Sequence, residues 1–461
     1  MAKPKTNHQR KLFAADNMYA DVMRDGSAEM AVYRHLAPML KDEDFATMYQ
    51  EGGRPPISPK HLALICILQA IDRIPDREAA YDALVRLDWQ VILGVEPGWT
   101  GFDPSLLSVF RARMLAHPEV KDIFDRVLDR LVELDLVRPE KKQRLDSTWV
   151  FGLLRTLSRL ENVKEALRVA LREIGKQGAE GKAFTRSLPS DLWKRATRKM
   201  DLRGLDGEER QALIMRFGRD ILQVLRRLDV APEELCRLPE VETLRRIFQQ
   251  NFTVHEQRRG SGGGKKKVTG VTLRDFTETP GQDRISSPHE PEARYNTKAD
   301  KSRGAIGYKI QVVETANPRR PNFITGLEVT GGATPDDGQA REMVRQLLAR
   351  GIAPKDIHTD SGYVSRAERK HLQEDCGVTL KGPTKKQAAK GIASDPARVP
   401  IERTIRELVS HGARRTPYRG TRKTRWWERM VAAVVDLRRL AQAELDGLLR
   451  APPGKLSLHR A

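Results

Sequence analysis

Between residue 305 and the C-terminal region the hydrophobic period of this chain switches repeatedly between two and 3.6, which limits its folds more than any other feature. AIGYKIQVVET (305–315) and NFITGLEVTGG (322–332) are rich in β-branched residues and separated by the turn-forming ANPRRP, which predicts an antiparallel hairpin. Asp336 and Asp337 then read as the cap of a helix, DGQAREMVRQLLAR, that stops at Gly351. DIHTD follows as a strand, then SRAERKHLQED as a helix, VTLKGP as a strand and a last helix from Pro400. Strand–helix–strand crossovers build parallel pairing, so the expected fold is α/β: a mixed sheet flanked by helices.

A further strand lies far upstream. In QRLDSTWV, Leu145, Ser147 and Trp149 face one way while Asp146, Thr148 and Val150 face the other. If this strand heads the sheet, the order is three strands, then helix and strand in alternation, ending on a helix. Residues 153–299 are then a helical insertion after the first strand, carrying RLENVKEALRVALREIG and EERQALIMRFGRDILQVLRRL. Within it RRGSGGGKKK, Arg258 to Lys267, has the composition of a flexible basic linker. It lacks the GxxxxGK[ST] spacing of a phosphate-binding loop.

The first 140 residues read as all-α. Ser58 is a candidate N-cap with Pro59 at the first helical position, and HLALICILQAI is apolar on nearly every side, which predicts a buried helix. REAAYDALVRLDWQVIL follows at helical spacing after Ile74-Pro75-Asp76. Such a cluster suits a DNA-docking module of helix-turn-helix character, and an oligomerisation bundle equally. The expected organisation is a helical N-terminal domain over 1–140, a catalytic domain over 141–152 and 300–445, the insertion over 153–299, and a tail over 446–461.

Charge narrows the partners. Over 461 residues, 82 Lys and Arg face 62 Asp and Glu, a formal charge of +20, and an excess that large attracts polyanions, nucleic acid first among them. Cys66, Cys236 and Cys376 stand far apart without CxxC spacing, which excludes a zinc finger or disulfide framework and fits a reducing cytoplasm. No apolar run is long enough for a membrane span, and MAKPKTNHQRK has no signal-peptide core.

Three carboxylates stand out on this layout. Asp360 ends a strand in HTDSGYVS, where open α/β sheets place ligands; Asp146 lies mid-strand; Glu402 begins the helix IERTIRELVS. On that helix Glu402 sits at the margin of the apolar face made by Ile401, Ile405, Leu408 and Val409, while Glu407 falls nearly opposite and reads as solvated, so Glu402 is favoured as the third acid with Glu407 as the alternative. Clustered acids repel unless a cation joins them, and Mg²⁺ or Mn²⁺ prefers such hard oxygen ligands. Two such ions can activate an attacking oxygen and stabilise a leaving oxygen at phosphorus. Taken singly, each acid has a plainer role as a turn or cap residue, as Asp336 and Asp337 do. Asp72, Asp76 and Asp82 read as a solvated helix face or turn, and His255, His289 and His358 as ordinary polar residues without metal-ligand spacing.

Several long blocks, in order, resemble the bacterial insertion-sequence transposases of the DDE class. RPPISPKHLALICILQAI and GFDPSLLSVFRARM are similar to the family's helical N-terminal domain, and LDSTWVFGLLRTLSRLENVKEALRVAL to the strand with its first Asp. SPHEPEARYNTK with GYKIQVVET resembles the second-strand region, HTDSGYVS the second-Asp motif, and IERTIRELVSHGARRTPYRGTRKTRWWERMVAAVVDLRRL the block with the Glu. The resemblance implies a ribonuclease H-like catalytic domain with Asp146, Asp360 and Glu402 as the catalytic and metal-binding triad. It implies two Mg²⁺ ions, Mn²⁺ substituting, cleavage of transposon ends and transfer of the 3′-OH into target DNA. It also implies a homodimer or larger assembly on double-stranded DNA, at the bacterial nucleoid. The alternatives are a nuclease of the same fold without strand transfer and a DNA-binding derivative without catalysis.

The chain departs from the family at Val409, where a basic residue often follows the Glu by seven positions, and at Trp149 and Asp436, where relatives often carry His and Asn. Arg398 fits the family's basic position, and Arg414 or Arg415 can take the role missing at Val409. The C-terminal block is dense in cations interleaved with aromatics, so Arg406, Arg414, Arg415, Arg419 and Lys423 are candidate phosphate contacts. Tyr418 and Trp426 are candidates for stacking on an unpaired base, with a helix core as the other reading of the tryptophans. Arg294, Tyr295 and Lys298 form a second candidate DNA-contact cluster, or else a loop.

Overall fold

The computed structural model describes residues 23–49, 57–96, 98–138, 141–153, 157–198, 204–259, 266–275, 277–281, 283–296, 305–318, 321–392 and 395–449. Lys298, most of the Gly-rich stretch and the tail beyond 449 lie outside them.

Helix α1 (Pro59–Asp72) starts as its sequence demands. The Ser58 hydroxyl accepts from the His61 amide at 3.3 Å, Pro59 follows, and the helix is buried from Leu62 to Leu68 without a break. Around it pack α2 (Asp76–Val85), α3 (Leu87–Leu93), α4 (Ser105–Ala116) and α5 (Ile123–Glu133), the last capped by Asp122. The acids here are not a solvated face. Asp76 takes both Nη atoms of the buried Arg111, at 3.0 and 2.5 Å, and Asp72 pairs with Arg86. A buried guanidinium needs such a partner, and its sequence distance of 35 residues hid the pairing.

Strand β1 (Gln143–Phe151) leads into the insertion, built on α6 (Arg159–Gly175), α7 (Gly178–Ser187), α8 (Ser190–Thr197), α9 (Gly207–Leu228) and α10 (Pro239–Asn251). It has its own core, with Leu167, Phe217, Ile221, Leu244 and Phe252 among its members. The insertion is not purely helical. Strands β2 (Phe252–Arg259) and β3 (Lys266–Leu273) pair antiparallel from Phe252↔Leu273 to Arg259↔Lys266. The basic ends of the expected linker therefore belong to a hairpin, where backbone pairing outweighs the low strand propensity of the charged residues.

The main sheet follows from β4 (Arg294–Asn296), β5 (Ala305–Thr315), β6 (Ile324–Gly331), β7 (Asp356–His358) and β8 (Thr379–Lys381). Its order is β4-β5-β1-β7-β8, with β6 also on β5. Strand β5 is antiparallel to β1 and β6, whereas β7 is parallel to β1 and β8 parallel to β7. Gly307 sets the β1–β5 approach: a Cβ there would lie 1.9 Å from the Val150 carbonyl oxygen. The connecting helices are α11 (Gln339–Ala349), α12 (Arg366–Cys376) and α13 (Ile401–Leu408); the expected order from β5 to α13 is observed, while β4 ahead of β5 and a short helix at Lys385–Ala389 were not expected.

Helix α14 (Thr421–Leu445) is the chain's central strut, buried along most of Met430–Ala443. It packs on β6, α5 and α1, so the N-terminal helices and the sheet share one hydrophobic core. Arg429 clamps this junction by pairing with Asp122 at 2.5 Å and Asp125 at 2.6 Å. Further along, Asp436 is wholly buried; burial pushes its carboxyl well above the usual range, and Oδ1 accepts from the Ile324 amide at 3.0 Å. A protonated acid there offers an acceptor and a donor, much as an Asn would. Among the described residues no helix is long and apolar enough to cross a membrane.

Candidate active site

Strands β1 and β7 bring the two aspartates together. Their parallel register pairs Gln143 with Ile357 and Arg144 with His358; continued by two residues, it sets Asp146 level with Asp360. The Asp360 charge is felt at Asp146. Burial first, and Asp360 with it, pushes the Asp146 carboxyl up to about 6, against the lowering effect of Arg398 and the Ser147 amide. Asp360 sits just past β7 in a turn, where its Oδ1 accepts from the Gly362 amide at 2.8 Å.

The third acid arrives from the other end of the chain. Residues Pro396–Arg398 form a single turn of 3₁₀ helix capped by Asp395, whose other oxygen takes His358 Nδ1 at 2.8 Å. The buried Arg144 on β1 donates to the Ala397 carbonyl, so this turn is tied to β1 and β7 together. Arg398 then points at the site. Its Nη2 donates to Asp146 Oδ2 at 2.5 Å and its Nη1 reaches Glu402 Oε1 at 3.4 Å. Beyond α13 the chain returns to β1: the Phe151 amide donates to the Arg414 carbonyl at 2.9 Å, and the Thr416 amide to the Phe151 carbonyl at 3.2 Å.

Glu407 takes no part in this cluster. It accepts from Arg439 at 2.7 and 3.1 Å, on the face of α13 turned to α14. It is a half-buried ion-pair partner and not the solvated residue its helical position suggested. Glu402, by contrast, is exposed and lies on the Asp146 side through Arg398.

Asp336 needs a second correction. The N-cap of α11 is Gly338, in the left-handed region at φ 84°, and no side chain caps that helix. Asp336 Oδ1 instead accepts from Lys309 Nζ at 3.0 Å, with Ser147 Oγ and Gln311 Nε2 both at 3.4 Å. A local Asp-Asp before a helix imitates a cap, and only the sheet register shows the Lys309 on β5 that claims it. His358 is likewise buried and hydrogen-bonded to Asp395, and His289 meets Glu165 at 2.7 Å.

Of the candidate DNA contacts, Arg406, Arg415, Arg419 and Lys423 present exposed side chains around α13 and the start of α14. Arg414 is half-buried, its guanidinium donating to the Trp149 carbonyl at 2.9 Å, which makes it a clasp on β1. Tyr418 and Trp426 meet edge to face with centroids 6.1 Å apart, and Arg111 lies over the Trp426 ring at 5.9 Å. Those rings are partly spent on packing, as the core reading of the tryptophans anticipates. Arg294 is buried in β4 beside β5, so its guanidinium is not presented at the surface. Tyr295 packs against the core, and Lys298 lies outside the described residues.

Chemically, Asp146, Asp360 and Glu402 offer only hard oxygen donors, the set a divalent cation such as Mg²⁺ takes. Among the described residues, no three His, Cys, Asp or Glu side chains stand close enough together to hold a metal ion. The Arg398 guanidinium lies between Asp146 and Glu402 and contacts both, so a cation already stands against two of these carboxylates. The donor set by its chemistry suits a hard metal ion.

Residues 25–113, the helical block around α1, match the model of a family described as Transposase domain (DUF772). No curated protein and no solved structure matches the chain. The family match supports a transposase, and with it a DNA-processing enzyme whose partner is DNA.

Proposed function

We propose that this chain is a DDE-type transposase whose mixed sheet is a ribonuclease H-like catalytic domain. The observation that carries the reading is the placement of three acids from distant segments around one end of β1. The β1–β7 register, continued past His358, sets Asp360 level with Asp146, and Arg398 links Asp146 to Glu402. The strand order supports the same reading. Three antiparallel strands (β6, β5, β1) continue into two parallel ones (β7, β8), and the insertion leaves after the strand carrying the first acid.

Asp146, Asp360 and Glu402 would hold Mg²⁺, with Mn²⁺ substituting. When bound, two such ions supply an activated oxygen nucleophile and charge relief at the leaving oxygen of a phosphodiester. The protein's own groups orient and exclude. Asp146 sits in a desolvated pocket that keeps its charge available only to a close cation. Arg406, Arg415, Arg419 and Lys423 are exposed on and after α13, and would grip successive phosphates. The helical block over 25–113 would read the terminal inverted repeats, and pairing two ends calls for at least a homodimer on DNA.

The test is a cleavage and joining assay with the full chain, Mg²⁺ and DNA carrying the repeats that flank its coding region. Cleaved ends and joined product are expected, both lost in Asp146→Asn, Asp360→Asn and Glu402→Gln. Pre-cut 3′-OH ends that are never joined would make the chain a nuclease of this fold. Cleavage that survives all three substitutions, or none by the wild type, would overturn the assignment; the latter leaves a DNA-binding derivative.

A further inference from the structure

Asp146 sits on β1, but the segment carrying Asp360 is only a turn after the three-residue β7 that pairs with it. Something must hold that turn against β1. Asp336 stands where such a brace is needed. Through Oδ1 it accepts from Ser147, the residue next to Asp146, and from Lys309 and Gln311 on β5. Its other oxygen faces the turn. A Cβ placed on Gly362 would lie 3.4 Å from Asp336 Oδ2 and 3.0 Å from Asp360 Oδ1, so one glycine separates the two carboxylates. The Gly362 amide in turn holds Asp360 Oδ1 at 2.8 Å.

The surroundings make this brace rigid. Lys309 is anchored a second time by the Thr334 carbonyl at 3.0 Å, and its side chain is only 17% exposed. Tyr363, wholly buried beside the turn, donates to Gln311, a further partner of Asp336. Asp336 also has a cation of its own, Lys309 at 3.0 Å. Its ion pair with Lys309 offsets the repulsion that a bare carboxylate beside Asp360 would add.

We infer that Asp336, charge-compensated by Lys309, is a positioning residue that sets the spacing of Asp146 and Asp360 by tying the Gly362 turn to β1 and β5. The inference rests on the reading of those aspartates as cation ligands. Groups that orient ligands from behind typically govern metal affinity by roughly 10–100-fold.

Direct Mn²⁺ binding to the full chain, followed by electron paramagnetic resonance without DNA, tests it apart from catalysis. Asp336→Asn and Lys309→Met should each weaken Mn²⁺ binding about tenfold or more, with Asp146→Asn as the reference for a lost ligand. Lys309→Arg, which keeps the ion pair, should bind nearly as the wild type does. Thermal unfolding of each variant without metal shows whether the fold is kept. If Lys309→Met proves unfolded, Ser147→Ala, which removes one brace contact at β1, carries the test with a smaller loss. Wild-type affinity in Asp336→Asn would overturn the inference while leaving the site assignment intact. A wild type that binds no Mn²⁺ would overturn both.

Discussion

Arg398 and Asp146 form a 2.5 Å charge-assisted hydrogen bond at the candidate site, between residues 252 apart in sequence. The same guanidinium extends to Glu402, so one cation spans carboxylates from β1 and α13. Its Nε is buried with no hydrogen-bond partner among the described residues, which makes Arg398 imperfectly satisfied where it stands.

That arrangement predicts an exchange between guanidinium and metal. Arg398→Met leaves Asp146 buried beside Asp360 with no cation, and the metal-free chain should lose about 1–3 kcal/mol. Millimolar Mg²⁺ or Mn²⁺ should restore most of it, raising the unfolding midpoint of the variant more than that of the wild type. Chemical denaturation with and without metal measures both. An Arg398→Met chain that metal fails to stabilise would count against a shared cation position.

Glu402 and Glu407 separate by phenotype. Glu402 is exposed, and among the described residues its carboxylate meets Arg398, so Glu402→Gln should abolish cleavage and change stability by less than about 0.5 kcal/mol. Glu407 holds the half-buried Arg439, whose Nη2 also meets Thr404 at 2.7 Å. Glu407→Gln should therefore cost about 1–2 kcal/mol and leave cleavage largely intact. The reverse pattern would exchange their roles.

Much of this site is legible in the sequence because its acids sit in locally patterned segments. The alternation around Asp146, the strand-to-turn change at Asp360 and the helical face around Glu402 each speak for themselves. What escapes is long-range pairing. Asp336 imitates a helix cap, Asp76 a solvated turn and Glu407 a surface residue. Each is claimed by a cation, Lys309, Arg111 or Arg439, that sequence places far away or on another element. Arg294 was misread for the converse reason: a three-residue strand added to β5 buries a side chain whose chemistry suggests the surface. The β2–β3 hairpin was hidden because its charged ends carry no alternating apolar signal.

In the insertion, Glu165 gives a pH-dependent contribution of known sign. The Arg168 guanidinium first, and His289 after it, hold its carboxyl down to about 2 against the opposing effect of burial. A depressed carboxylate stabilises the fold above its unfolded value, near 4.5, and loses that contribution as pH falls toward 2. With solvent screening, Glu165→Gln should cost roughly 1 kcal/mol at neutral pH. Its stability curve should merge with that of the wild type near pH 2. A constant gap between the two curves from neutral to acid pH would contradict this assignment.

The deepest ion pair in the sheet carries the last prediction. Arg144 on β1 donates to Glu314 on β5 at 2.8 Å, with side chains 4% and 1% exposed. Glu314 also accepts from Thr404 on α13, so the pair joins both strands to the helix that bears Glu402. Replacing Arg144 by Met leaves a buried carboxylate short of its main cation, and about 3–5 kcal/mol should be lost. Replacing both residues by Met removes the stranded charge and should recover most of that loss. Activity should not recover with it, because Arg144 also holds the Ala397 carbonyl one residue before Arg398. Denaturation midpoints and cleavage rates of the single and double variants check this split between stability and function. A double variant that regains both would reduce Arg144 to a partner of Glu314 with no part in placing Arg398.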